Sequence, residues 1–215
     1  MQMANETMDT HVPEFASVTF TDGTALDPPG YSLTAEEIVE LRSNWKIPES
    51  VEIRPLEPED QFFAPGDGWT LCHEYQLRCG LSLPLKVEVQ YLLAASNFAI
   101  GQVGPNMWRQ LLGLCVMYKV LKQQMPTYHE LHAMYRAEYS RKAGFSGTIQ
   151  LKSKAVFKKI VEDLPSSVSR TWRERSFLIR NFQNPDYALQ VPVDFQQLMS
   201  KSSPSGFLSF LRPGL

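Results

Sequence analysis

Between Leu33 and Trp45 the apolar residues Leu33, Ile38, Leu41 and Trp45 recur on one helical face, with polar residues between them. Thr34 stands where an N-cap belongs, and the Thr34-to-Glu37 spacing fits a capping box. Glu36 and Glu37 in the first turn favour the positive end of a helix dipole, so the pattern predicts a first helix that leaves through Ile47-Pro48. From Pro48 to Pro65 the prolines recur too often for a helix, which predicts an extended, acidic surface segment. A second short helix is predicted from Trp69 to Cys79, stopped by Gly80. Between Lys86 and Phe98 the apolar spacing at Val87, Tyr91, Leu92, Ala95 and Phe98 predicts a third.

The stretch Gly101 to Leu112, GQVGPNMWRQLL, sets a Gly-Pro-Asn turn against a tryptophan and a long apolar run. Gly104 can cap a helix whose first position is Pro105, where the missing N–H costs nothing; Asn106 is the alternative cap. The helix from Met107 to about Gln124 is apolar nearly all round, with Asn106, Arg109, Gln110 and Gly113 in one narrow polar sector. So thin a wet stripe predicts a helix at the centre of its domain, with Trp108 buried. Met125-Pro126 ends it, and Thr127 caps a further helix through TYHELHAMYRAEYS. Beyond Phe145, FSGTIQLK and WRERSFLIRNF suit strands, while KAVFKKIVEDLP fits strand or helix.

These elements predict an α+β fold: a mainly helical core around a central buried helix, about 106–124, with a small antiparallel sheet in residues 145–182. Residues 1–30 read as a loosely ordered lead-in, with at most a short strand near Ser17 to Thr21. Residues 31–183 read as one globular domain, and 184–215 as a poorly ordered tail. A length of 215 residues with 43% hydrophobic content supports one buried core. The run from Met107 to Leu121 is interrupted by Arg109, Gln110, Gly113 and Lys119, well short of the ~20 apolar residues of a membrane span. With no basic flank and no apolar core at the N-terminus, no signal peptide is expected. The chain reads as intracellular, with nucleus and cytoplasm both open. Cys72, Cys79 and Cys115 then read as three free thiols.

The net charge of -2 conceals a polarity along the chain. Residues 1–100 hold 5 Lys+Arg against 16 Asp+Glu, net -11, whereas residues 141–180 hold 10 against 3, net +7. Such asymmetry gives either a basic face for polyanions or two halves that attract each other in the fold.

Catalytic and cofactor motifs are sparse. His129-Glu130-Leu131-His132 has histidines three apart, not the HExxH of zinc proteases, so no metal is expected there. Cys72 and Cys79, seven apart, match no zinc spacing. The chain contains no GxSxG, GxGxxG or GxxxxGKS motif, and no enzyme, cofactor or small-molecule ligand is inferred.

The basic segment is the best physical lead. Lys152, Lys154, Lys158, Lys159, Arg170, Arg173, Arg175 and Arg180 are interleaved with Phe157, Trp172 and Phe177, the mixture that a phosphate-tracking, base-stacking surface uses. Strand alternation would separate Arg173 and Arg175 from Trp172. RNA or DNA is therefore one candidate partner. The competing reading is a solvated edge over buried aromatics, with lysines that discourage edge pairing.

Four blocks taken in order, LTAEEIVELRSNWKIPESVEIRPLEPED, GWTLCHEYQLRCGLSLPL, GQVGPNMWRQLLGLCVMYKV and RTWRERSFLIRN, resemble the plant gypsy-type transposon domain family across residues 31–183. The chain departs from that family at Val103-Gly104-Pro105, where leucine is commoner before Pro-Asn, and at Ser176-Phe177, where two aromatics are usual. The resemblance implies a retrotransposon-derived, gag-like protein without catalysis, which binds nucleic acid or a second copy of itself. The alternative is a transposase or polyprotein fragment whose catalytic parts lie elsewhere.

Overall fold

The computed structural model describes residues 18–19, 25–26, 28–121, 123–140, 147–154 and 170–196, which form an α+β fold. Two short strands, β1 (Val18–Thr19) and β2 (Ala25–Leu26), pair antiparallel, and Leu26 is buried. Helix α1 (Ala35–Trp45) starts at the predicted capping box: Thr34 Oγ1 accepts from the Glu37 amide at 3.3 Å, and Glu37 Oε2 accepts from the Thr34 amide at 2.9 Å. It ends on Lys46 in the left-handed region, φ 51°. The Arg42 guanidinium donates to the carbonyls of Ile47, Pro48 and Val51, pinning the exit loop.

The main sheet places β7 (Ser176–Arg180) between β3 (Glu52–Arg54) and β4 (Thr70–His73), all antiparallel. Ile53 faces Ile179 and Cys72 faces Phe177. A second, two-stranded sheet pairs β5 (Tyr135–Tyr139) with β6 (Ile149–Ser153). Residues 145–182 thus supply β6 and β7, but their partners come from earlier in the chain.

Two expected helices are divided. The segment from Trp69 opens as strand β4, all four residues buried, and becomes helical only in α2 (Glu74–Arg78). The change falls where His73 N–H donates to Gln76 Oε1. Likewise the segment after Thr127 is helical only in α5 (Tyr128–Met134) and continues as β5, because Tyr135 to Tyr139 find a partner strand in β6. Helix α3 (Val87–Ser96) ends on left-handed Asn97, φ 56°.

Helix α4 (Pro105–Leu121) begins with Pro105, and Trp108 N–H donates to Gly104 O, as the Gly-Pro turn predicts. A different constraint acts at Gly101. A Cβ there would stand 2.9 Å from Leu71 O and 2.8 Å from Phe195, so only glycine lets this turn pack on β4. Trp108 is fully buried, in the main cluster with Leu92, Leu93, Leu111 and Phe177.

Residues 184–196 are held against the core, where the sequence reading expects a poorly ordered tail. The clamp is a set of glutamine amides acting as short lengths of strand. Gln90 accepts from the Asn184 amide and donates to Leu189 O; Gln102 accepts from the Gln196 amide and donates to Gln196 O. Gln183 does the same for Val191, and Val191 and Phe195 are buried. A primary amide offers one acceptor and two donors, so it satisfies backbone groups that no neighbouring strand reaches.

Candidate functional site

The basic segment is not one face. Lys152 on β6 is exposed and pairs with Glu138 on β5, which also binds Arg136. Lys154 is exposed, and its ammonium donates to the His132 carbonyl. Arg170 opens a 3-10 turn, Arg170–Arg173, that carries Trp172 and Arg173 inward; both are buried. Trp172 packs against His73, ring centroids 5.0 Å apart. Its indole is therefore unavailable for base stacking. Lys158 and Lys159 lie outside the described residues.

Arg175 takes φ 59° and binds Glu74 through Nε and Glu37 through Nη1. Burial works to raise the Glu74 pKa, but Arg175 and Arg78 outweigh it and hold the carboxyl below its ordinary value. At Glu37 the same contest runs between burial and the Thr34 amide, Arg175 and Tyr31, with the same outcome. Arg180 pairs with Glu52 and lies over the Trp69 ring, 4.7 Å from its centroid. Arg54 lies over the same ring at 4.9 Å and holds Asp60 with two bonds of 2.6 and 2.7 Å. The acidic first half thus meets the basic segment inside the fold, through Glu37, Glu52 and Glu74.

His129 and His132 stand beside Tyr128 on α5, with the His132 ring centroid 4.3 Å from that of Tyr128. Burial first, then Lys154 and His129, lowers the His132 pKa. Ser96 Oγ is 3.5 Å from His132 Nε2, too long for a strong bond. Among the described residues no group of three or more His, Cys, Asp and Glu is arranged to hold a metal ion.

Helix α4 departs from its expected all-round burial. Its N-terminal half is enclosed: Met107, Trp108, Leu111 and Leu114 are buried, and Gln110 is turned inward to donate to Leu151 O at 3.3 Å. Its C-terminal half keeps Tyr118 buried but is open on the outer side. Val116 is 61% exposed, Val120 71% and Leu121 74%, and Leu112, Gly113 and Met117 are half-buried. The outer face therefore runs Arg109, Leu112, Gly113, Val116, Val120, with exposed Lys119 beside it. The all-round apolar pattern carried this information, since one apolar face exceeds what a single core covers. Cys115 sits at its edge, and burial first, then Glu88, pushes the thiol up to about 11.

No family model matches the chain, and no match was found among the curated proteins or the solved structures. Among the described residues no helix is long and apolar enough to cross a membrane.

Proposed function

We propose that this chain is a non-enzymatic, retrotransposon-derived protein of gag-like type that works by associating with itself. The four-block resemblance to the plant gypsy-type family supports the element-derived part of the reading. The observation that carries the self-association part is the open apolar face of α4, with Val116 and Val120 61% and 71% exposed on a structured helix. Water-exposed valines in sequence-local clusters on a rigid element favour a partner surface, because their burial gains about 25 cal/mol per Å². Self-association is preferred to nucleic-acid binding because Lys152, Arg175 and Arg180 are ion-paired, while Trp172 and Arg173 are buried.

Sedimentation velocity of the full chain across a hundredfold concentration range tests this reading, alongside binding of single-stranded RNA and DNA titrated against salt. The expected result is a mass that rises with concentration and weak nucleic-acid binding. A chain that stays monomeric throughout and binds RNA or DNA with a steep salt slope would replace self-association with a polyanion surface.

A further inference from the structure

We infer that the free edge of β5 pairs with the same edge of a second copy, antiparallel and centred on Ala137, so that Arg136 of each copy lies opposite Glu138 of the other. The inference rests on the self-association reading, which brings copies together, and adds a second contact away from α4.

The hydrogen-bond phase shows which groups the edge offers. Ser140 N–H donates to Thr148 O, and Lys154 N–H donates to Met134 O. In the antiparallel register of β5 with β6, these bonds make the even-numbered residues of β5 the ones bonded to β6. The odd-numbered residues turn their backbone groups the other way. On β6 the same rule holds: Ile149 O and Leu151 O point away from β5 and accept from the Gly104 amide and the Gln110 side chain. On β5 no described residue bonds in the same way to Ala137, which stays partly exposed although its side chain packs on the core. An outward N–H and C=O on an edge strand are what a further strand bonds.

Charge selects the partner and its register. Alternation puts Arg136 and Glu138 together on the outer face, where they pair with each other. Across the hairpin Arg136 stands opposite Lys152, a like-charge pair, and one carboxylate, Glu138, serves both cations. Antiparallel registers centred on Arg136, Ala137 or Glu138 would each let a second β5 bond through its odd-numbered residues. Centring on Arg136 sets two guanidinium groups against each other, and centring on Glu138 sets two carboxylates together. Centring on Ala137 joins the two Ala137 residues by a pair of N–H···O bonds and places Arg136 opposite Glu138 twice, because residues equally far to either side of the centre meet. A two-fold axis normal to the sheet generates this pair and keeps both charged faces on one side. Each Arg136 then lies between Lys152 of its own hairpin and a carboxylate of the other copy, which offsets the like-charge pair. An edge carrying lysines alone would repel a copy of itself; one charge of each sign, two residues apart, makes this edge self-complementary.

Two backbone bonds and two exposed ion pairs are few beside the freedom lost on association. The pair therefore forms between copies that the α4 contact already holds close, where a second contact is made at high effective concentration.

The test mixes two full-length chains, each with Cys115→Ser, one carrying Arg136→Cys and the other Glu138→Cys. Their mixed pair keeps one Arg136–Glu138 contact and sets the two new thiols opposite each other. Diamide is the oxidant, at a concentration where the mass exceeds that of a monomer, and peptide mass spectrometry locates the bond. The expected result is a 136–138 disulfide at least tenfold more abundant than 136–136 or 138–138, with circular dichroism unchanged before oxidation. In the unsubstituted chain, hydrogen exchange of the Ala137 amide should slow at least threefold from dilute to concentrated protein. Equal amounts of the three links, no link, or an unchanged Ala137 rate, in a chain whose mass rises with concentration, would overturn this edge and leave self-association standing. A monomer at every concentration would overturn both. A thiol at 136 or 138 that resists a soluble disulfide reagent in dilute, monomeric protein would show another part of the chain covering the edge, and would also overturn the pair.

Discussion

The imidazole of His73 stands edge-on to the indole of Trp172, ring centroids 5.0 Å apart and planes at 77°, with both residues buried. This contact joins the turn from β4 into α2 to the 3-10 turn that precedes β7. It also makes His73 a neutral group. Burial first, then the Arg173 charge, lowers its pKa to about 3, although the carbonyls of Arg173 and Gly101 lie near the ring and favour the proton. Neither ring nitrogen reaches a bond of good geometry among the described residues. The unfolded chain takes up that proton from about pH 6.5 downward, the folded chain only near 3. The stability due to neutral His73 is thus complete above pH 6.5 and is lost as pH falls, at about 1.4 kcal/mol per unit. Between pH 7 and 5 the melting temperature should fall by about 4–8 °C more in the wild type than in His73→Leu. Parallel curves for the two proteins would contradict the assignment.

Trp108→Ala should cost about 3–5 kcal/mol in urea unfolding, because it empties the centre of the main cluster. Trp108→Phe should cost much less, since the indole Nε1 meets no acceptor among the described residues and its loss breaks no bond. Equal losses for the two variants would show that the indole nitrogen matters after all.

Arg175 is both an ion-pair hub and a left-handed residue, so its substitutions separate the two roles. Arg175→Ala removes one partner each from Glu74, which keeps Arg78, and Glu37, which keeps the Thr34 amide and the Tyr31 hydroxyl, and should cost about 1–2 kcal/mol, with the partly exposed geometry screened by salt. Arg175→Gly loses the same charge but sits comfortably at φ 59°, and should be about 1 kcal/mol less destabilised than the alanine variant. Both should also weaken the acid limb below about pH 4.5, where the lowered carboxyls of Glu37 and Glu74 release stability as they protonate. Chemical denaturation at pH 7 and pH 3.5 measures these differences; an alanine variant as stable as the glycine one would remove the backbone part of the account.

Gln90→Leu should release residues 184–189 while leaving the core intact. The buried amide holds Asn184 and Leu189, and a backbone group left without it costs about 1–3 kcal/mol. Hydrogen exchange of peptides from 184–196 should quicken about tenfold or more, with α4 peptides unchanged. Unaltered exchange there would show that Val191 and Phe195 hold the segment by packing alone.

The local signals were the legible ones. The Thr34 capping box, the Gly104-Pro105 start and strands β6 and β7 all follow from residues within a few positions of one another. What failed depended on distant partners. Thr70 to His73 and Tyr135 to Tyr139 have helical spacing, yet each becomes a strand because another strand lies alongside. The basic segment misled for a related reason: a 3-10 turn replaces strand alternation at Arg170–Arg173, so Trp172 and Arg173 both point inward. In α4 the apolar pattern was read as deeper burial, but α2, α3 and β6 cover only part of the helix, and its outer C-terminal side is open.

Self-association turns on that open face, and the most direct measurement is sedimentation velocity of Val116→Glu/Val120→Glu beside the wild type at matched concentrations. Both positions are exposed in the monomer, so the double variant should keep its fold and melt within about 1 kcal/mol of the wild type. The predicted result is a wild-type mass that rises with concentration and a double variant that stays monomeric over the same range. A double variant that associates as the wild type does, with its fold intact, would contradict the claim that this protein meets its partner through α4.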